Sequence, residues 1–178
     1  MGKGSRGGLR RSEGLTLLEC LITLAIVVIL TGIGVPAYRD QIAAARARAG
    51  AQQLYAAMQH ARSMAQAHGT VVTLCPVIDP SDKSPQCGGH FGQRLAAIAQ
   101  NGEGSELLRV WSPTDGVTVT NRTGSHWVTG ALRWDKEGVG RRNLTLSVCA
   151  LGHNWSVITN RLGRPRLARD WGMCPPTV

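Results

Sequence analysis

The sequence has few aromatic residues and few acids. Phenylalanine, tyrosine and tryptophan make up 4% of the chain, and 11 aspartates and glutamates stand against 20 lysines and arginines. The apolar fraction of 43% is still enough for a hydrophobic core, and 178 residues suit one compact domain with an attached element. The shortage of acids leaves a formal net charge of +9, which indicates an anionic partner such as nucleic acid or anionic lipid.

Motifs for catalysis and metal binding are also missing. The sequence has no G-x-S-x-G nucleophile motif, and its histidines are scattered. Cys75, Cys87 and His90 offer three zinc ligands, but the sequence lacks a second tight ligand pair. We therefore expect a protein that is not an enzyme and that uses neither a cofactor nor a metal ion.

The chain begins with a basic, glycine-rich segment, MGKGSRGGLRRSEG (residues 1–14), and an apolar run follows it. From Leu15 to Ala37 this run has about 23 residues, which is long enough to cross a bilayer as a helix. The basic flank precedes the run, so the positive-inside rule keeps the N-terminus in the cytoplasm and exports the rest. A cleaved secretory signal is the alternative, but TGIGVPA is a poor cleavage site.

A single acid interrupts the apolar run. Glu19 lies in a bilayer-length segment, where a carboxylate is costly without a partner. The leader ending at Gly14, followed by Leu15-Thr-Leu-Leu-Glu19, resembles the class III signal of type IV pilins. This resemblance implies cleavage after Gly14 by a prepilin peptidase, methylation of Leu15, and a role for Glu19 in filament assembly. It also implies a single-pass inner-membrane subunit with a periplasmic C-terminal domain, which later joins other pilins in a surface pilus.

The pattern after the leader predicts one long helix. Residues 15–38 form its transmembrane or filament-core half, and the alanine-rich residues 39–68 form its exported half. Pro36 is expected to kink or loosen the helix, as at the corresponding place in pilins. His68-Gly69 is the predicted end of the helix. Apolar residues at helical spacing mark one face of the exported half: Ile42, Leu54, Met58, Ala61 and Ala65.

Residues 69–178 have the texture of a β-rich domain. Short β-branched runs separated by turn residues predict antiparallel strands at 71–75, 106–111, 116–120, 131–134, 143–149 and 154–159. RLAAIA (94–99) fits either a helical turn or a strand, and LARDWGM (167–173) is a candidate for a last edge strand. The expected fold class is α+β and type IV pilin-like, with a long helix packed on a small β-sandwich or pair of sheets.

Four cysteines fall in this exported domain, where disulfides form and persist. Three pairings are possible. We favour Cys75–Cys87 and Cys149–Cys174, because each pair brackets a segment that would otherwise be poorly held. The second pair would attach the C-terminal tail to the strand that ends at Cys149.

The C-terminal fifth of the chain carries most of the positive charge that remains without the leader. Residues 141–178 contain six arginines and the single acid Asp170. The arginines are Arg141, Arg142, Arg161, Arg164, Arg166 and Arg169. Together with the segment LYAAMQHARSMAQAHGTVVTLCP, the tail element Gly163-Arg164-Pro165-Arg166 resembles the FimT/GspH group of minor pilins. Its G-R-x-R element matches that of FimT-type members, which contribute to natural transformation by binding DNA.

Arginine suits phosphate recognition because its planar fork stays charged. A tight turn at Gly163 followed by the stiff Pro165 would splay Arg164 and Arg166 along a DNA backbone, with Arg161 reaching a third phosphate. Arg169, Arg141 and Arg142 are weaker candidates. No aromatic ladder accompanies them, so we expect phosphate contacts, little base readout and no sequence specificity.

Two other functions compete with DNA binding. A pseudopilin of type II secretion would share the leader and the fold and would need no DNA-binding tail. In a purely structural or priming minor pilin, the arginines would contact another subunit. The cationic tail favours DNA uptake over both alternatives.

Overall fold

The computed structural model of the chain describes residues 16–79, 86–102 and 104–176. Within these ranges it contains one helix, α1 (Leu17–His68), and eight strands arranged in two antiparallel sheets. The predicted α+β class is confirmed. The strands are β1 (Val71–Pro76), β2 (Leu95–Asn101), β3 (Gly104–Trp111), β4 (Thr118–Asn121), β5 (Leu132–Trp134), β6 (Leu144–Ala150), β7 (His153–Thr159) and β8 (Pro165–Arg169).

The beginning of α1, up to Arg39, belongs to a unit separate from the rest of the chain. Its leucine, isoleucine and valine side chains are exposed, and the segment is long and apolar enough to cross a membrane. The backbone stays helical through Pro36. The predicted leader, residues 1–14, and the predicted mature N-terminus Leu15 lie outside the described residues.

From Asp40 onward α1 packs against the sheets through small side chains. Leu54 and Met58 are buried as predicted, and Ile42 is half-buried. A Cβ added at Gly50 would lie 3.2 Å from the Cγ1 atoms of both Val117 and Val148. Small residues therefore let the helix backbone approach the sheet closely. The other small residues on this buried face are Ala43, Ala47, Ala51, Ala57, Ala61 and Ala65.

Each sheet has four strands. The first, sheet 1, has the order β3-β2-β1-β5, and the second, sheet 2, has the order β4-β6-β7-β8. Their inward side chains form one core with the helix, in which Trp134 is 1% exposed and Leu146 is fully buried. Of the four edge strands, β5 of sheet 1 and β8 of sheet 2 carry the exposed arginines that define the candidate site.

The structure decides one segment that the sequence left ambiguous and corrects the bounds of another. RLAAIA becomes a strand, β2, because it pairs with both β1 and β3 and is buried between them. The predicted edge strand at 167–173 is wrong in its bounds. Strand β8 starts earlier, at Pro165, and ends at Arg169, because the chain turns at Asp170, where φ is 52°.

The residues after Asp170 form a tail that crosses the outer face of sheet 2. The Gly172 N–H donates to Asn154 Oδ1 at 3.1 Å, and Ser147 Oγ donates to the Met173 carbonyl oxygen at 3.0 Å. The Cys149–Cys174 disulfide holds the end of this tail to β6, and a second disulfide joins Cys75 to Cys87.

Candidate nucleic-acid interface

The central element of the candidate site is a tight turn between β7 and β8. The Gly163 N–H donates to the carbonyl oxygen of Asn160 at 2.9 Å, which closes a four-residue β-turn. The side-chain oxygen Oδ1 of Asn160 also accepts the N–H of Arg164 at 3.2 Å. Asparagine commonly holds turns in this way because its short side chain reaches backbone donors a few residues on. Arg161 and Leu162 occupy the exposed tip of the turn.

Gly163 is the point at which this turn rests on the rest of the domain. Its φ of 71° lies in the left-handed region that favours glycine. A Cβ at this position would lie 2.5 Å from the backbone nitrogen of Gly140 and 2.6 Å from Trp134 Nε1. The Trp134 indole N–H donates to the Gly163 carbonyl oxygen at 2.9 Å. A buried side chain of sheet 1 therefore fixes the turn of sheet 2.

The two arginines after the turn flank the first residue of β8: Arg164 directly precedes the strand and Arg166 lies within it. Pro165 is buried and Leu167 packs against the core, whereas Arg164 and Arg166 are exposed. Because a residue that precedes proline favours extended backbone, we expect the two arginines to be separated by roughly 7 Å along the chain. Pro165 fits the first position of an edge strand, because a missing N–H is tolerated there. A turn at Gly163, a buried Pro165 and two exposed arginines are therefore present, and the predicted DNA contacts of these arginines stay a prediction.

An exposed tryptophan lies next to Arg166. Trp171, 47% exposed, has the Arg166 guanidinium carbon 5.7 Å from its ring centroid and that of Arg122 at 4.8 Å. The Met173 N–H donates to the Arg122 carbonyl oxygen at 2.8 Å, so the crossing tail joins these groups. The sequence prediction missed Arg122, because it follows β4 and is distant from the arginine-rich tail in sequence. The positive charge of Arg122 was the one feature of the sequence that could have indicated its role.

Arg169 lies apart from the other tail arginines. It is opposite Trp155 in the β7–β8 register and lines a groove on the helix side of the edge together with Arg48. Its Nε lies 3.4 Å from Asp170 Oδ2, so a neighbouring carboxylate partly offsets its charge. The structure therefore does not place this predicted residue with Arg164 and Arg166.

The other two weaker candidates lie beside the turn. Gly140, which precedes Arg141, contacts Gly163 backbone to backbone: a Cβ on Gly140 would lie 2.9 Å from the Gly163 Cα. Arg142 Nη1 donates to the carbonyl oxygens of Thr129 and Ala131 at 3.3 and 3.5 Å. Both arginines are exposed.

The arginines of this surface carry positive charge without neighbouring carboxylates. In the described ranges, no carboxylate oxygen lies within 4.0 Å of a guanidinium nitrogen of Arg161, Arg164 or Arg166. Their guanidinium groups are therefore available to phosphate oxygens, for which arginine provides paired N–H donors. We call the exposed residues Arg161, Arg164 and Arg166 the turn arginines.

The remaining predicted residues lie elsewhere. Glu19 is in the first turn of α1, is exposed, and donates its backbone N–H to Thr16 Oγ1 at 3.2 Å. Cys75 and Cys87 are bonded to each other, so neither is a free thiolate for the alternative zinc site with His90. Over the described ranges, no group of three histidine, cysteine, aspartate or glutamate side chains is placed to hold a metal ion.

Comparisons with known proteins agree on the fold. Residues 50–163 match the family model described as type II transport protein GspH. The type IV minor pilin FimU of Pseudomonas aeruginosa (strain PAO1) is 19% identical, with 68% of this chain and 87% of that chain covered and a TM-score of 0.50. The minor pseudopilin EpsH of the Vibrio cholerae type 2 secretion system is 16% identical, with 70% and 97% covered and a TM-score of 0.51. The sequence matches no curated protein.

Proposed function

The chain belongs to the GspH family, and we propose that this minor pilin binds extracellular DNA through its turn arginines. The observation that carries the proposal is the exposure of Arg164, directly before the edge strand β8, and of Arg166 within it, neither with a carboxylate partner among the described residues. An arginine pair that served only the fold would be expected to have acids or buried carbonyl oxygens as partners. The absence of such partners for Arg164 and Arg166 favours an external anion as their ligand.

The expected contacts are with DNA phosphates. Arg164 directly precedes β8 and Arg166 lies in it, roughly 7 Å further along the chain, so they can bind successive phosphates of one DNA strand, while Arg161 extends from the turn tip to a third. Such contacts position a protein on DNA but carry no base information. Binding is therefore sequence-independent, and the three arginines contribute about −2.7 to the slope of log K against log salt on duplex DNA. A single subunit binds weakly, and several copies in a pilus raise the affinity by avidity.

The proposal includes the route by which this surface reaches external DNA. A peptidase cleaves after Gly14 and methylates Leu15, and residues 15–38 anchor the subunit in the inner membrane with its N-terminus in the cytoplasm. In the filament, Glu19 pairs with the N-terminal ammonium of a neighbouring pilin, which offsets the cost of burying both charges. The exported helix half, 39–68, and the β-rich domain, 69–178, then present the turn arginines for DNA uptake in natural transformation.

The test is a DNA titration of the chain in non-ionic detergent micelles. Two unrelated duplexes are titrated over a salt series, with fluorescence anisotropy as the readout. We expect equal affinities for the two sequences. Arg164→Gln/Arg166→Gln should weaken binding at least about tenfold and flatten the salt slope by about 1.8, since two phosphate contacts are lost.

The matched control is Arg46→Gln/Arg94→Gln, which removes the same charge from exposed positions outside the candidate surface. This variant should bind within about twofold of the unmodified chain. Equal losses of DNA affinity in both double variants would mean that net charge alone causes the binding. A folded, unmodified chain that does not bind either duplex at low salt would contradict the proposal.

One alternative has support of its own. The family description and the EpsH structure both refer to type II secretion, so a pseudopilin that builds the secretion filament is the second candidate. In that role the turn arginines would contact a neighbouring subunit. Loss of protein secretion in a strain lacking this chain, with transformation unchanged, would favour this second function.

A further inference from the structure

A second group of arginines surrounds a cleft on the outer face of sheet 1. The cleft has a volume of about 470 Å³, and Arg133, Arg141 and Arg142 line it together with Asp135 and Gln100. Arg133 lies between the buried Leu132 and Trp134 on the edge strand β5, so strand alternation directs it away from the core. Neither the family match nor the sequence prediction assigns a role to Arg133.

The charge of this cleft is strongly positive. Three guanidinium groups stand against the single carboxylate Asp135, whose Oδ1 already accepts the Val139 N–H at 2.8 Å within its own turn. Where the structure is described, none of the three arginines forms an ion pair within 4.0 Å. Arg142 is held by its bonds to two backbone carbonyl oxygens, which leaves its other N–H donors free.

The cleft is joined to the turn arginines by the backbone. Gly140 and Gly163 are in contact, and each directly precedes an arginine of its group, Arg141 and Arg164. This contact is supported by the Trp134 hydrogen bond to Gly163, and Trp134 is the neighbour of Arg133 on β5. The same buried residue therefore fixes the position of both groups.

We propose that the Arg133–Arg141–Arg142 cleft is a second phosphate-binding site, and that one DNA molecule contacts the cleft and the turn arginines together. The inference rests on the proposed function, because it takes DNA as the ligand of the turn arginines. The paired N–H donors of each arginine can bind a different phosphate of the same DNA backbone, so the cleft would neutralise two or three phosphates. The DNA path then crosses the Gly140–Gly163 contact from sheet 2 to sheet 1.

The salt dependence of binding tests this path by counting phosphates. The turn arginines alone give a slope of about −2.7, and two or three further contacts steepen the slope to roughly −5. Arg133→Gln/Arg141→Gln should flatten it by about 1.8 and weaken binding at low salt at least about tenfold. Arg142 is left unchanged, because its bonds to Thr129 and Ala131 support the neighbouring loop.

The experiment uses the chain in micelles, the same duplexes, and Arg46→Gln/Arg94→Gln as the charge-matched control. Thermal unfolding of each variant establishes that it is folded. If Arg133→Gln/Arg141→Gln keeps the salt slope of the unmodified chain while Arg164→Gln/Arg166→Gln flattens it by about 1.8, the inference is overturned and the proposed function stands. If the unmodified chain does not bind DNA, the proposed function itself fails. A flatter slope in both double variants but not in the control supports one continuous DNA path.

Discussion

The indole N–H of Trp134 donates a hydrogen bond of 2.9 Å to the carbonyl oxygen of Gly163. One partner is a core residue of sheet 1, and the other lies in the exposed turn that leads into β8. The bond holds the backbone of the turn that carries the turn arginines in a fixed position, since Trp134 is 1% exposed and closely packed. Binding surfaces need such support, because each side chain that must be ordered on binding reduces affinity.

Gly163→Ala should destabilise the domain and weaken DNA binding together. Its φ of 71° is unfavourable for alanine, and the added Cβ would meet the Gly140 nitrogen and the Trp134 ring. We expect a loss of about 2–4 kcal/mol in the free energy of unfolding, measured with urea. Gly152→Ala is the control: its φ is 86°, but nothing lies within 4 Å of the added Cβ, so only the backbone cost of about 1–2 kcal/mol applies. Equal losses in the two variants would mean that the contact with Gly140 has no energetic role.

The sequence predicted the elements of this fold better than their contacts. The β-branched runs and the helix end before Gly69 carry local signals, and local signals are readable from the chain. The alanine-rich segment of β2 was ambiguous, because alanine has low strand propensity and only pairing with β1 and β3 decides its state.

The candidate site also has features that the local sequence predicts and features that depend on distant contacts. The turn at Gly163 and the exposure of Arg164 and Arg166 follow from neighbouring residues. The Trp134 bond to Gly163 spans 29 residues, and the approach of Arg122 to Trp171 depends on how the tail crosses sheet 2. No local pattern encodes either of these contacts, so the sequence could not predict them.

His60 should make the stability of the domain depend on pH. Burial lowers the pKa of this imidazole below its ordinary 6.5, and the nearby positive charge of Arg109 lowers it further. The unfolded chain then binds the proton more readily than the folded chain does. The free energy of unfolding is therefore highest above about pH 7 and falls as the pH drops below 6.5 towards the folded-state pKa.

The comparison variant for this prediction is His60→Phe. Phenylalanine keeps an aromatic ring against Trp111, whose centroid lies 5.4 Å from that of His60, and it removes a buried Nε2 that has no hydrogen-bond partner among the described residues. Urea unfolding at about pH 5 and about pH 8 should give a smaller difference in the variant than in the unmodified chain. Two parallel stability curves would exclude His60 as a source of the pH dependence.

Trp171 should support DNA binding by positioning Arg166. The guanidinium carbons of Arg122 and Arg166 lie 4.8 and 5.7 Å from the centroid of the indole ring, and an exposed cation–π contact is worth about 0.5–1 kcal/mol. Trp171→Leu should therefore weaken DNA binding about two- to fivefold, less than the loss of Arg166 itself. Trp171→Phe keeps a π face and should retain most of the affinity. Titration of the duplexes by anisotropy provides the measurement, and equal affinities for the leucine variant and the unmodified chain would refute the positioning role.

The Cys149–Cys174 disulfide should matter to DNA binding, and the Cys75–Cys87 disulfide should not. Chain-entropy arguments give about 3 kcal/mol of stability for each, since the bonds close loops of 25 and 12 residues. Only the first holds the tail that carries Trp171 across sheet 2, next to Arg122 and Arg166. Replacing both of its cysteines with serine should therefore lower stability in urea and also weaken DNA binding, whereas the matched Cys75→Ser/Cys87→Ser variant should lower stability alone. Equal DNA affinities in the two folded variants would mean that the crossing tail does not contribute to the binding surface.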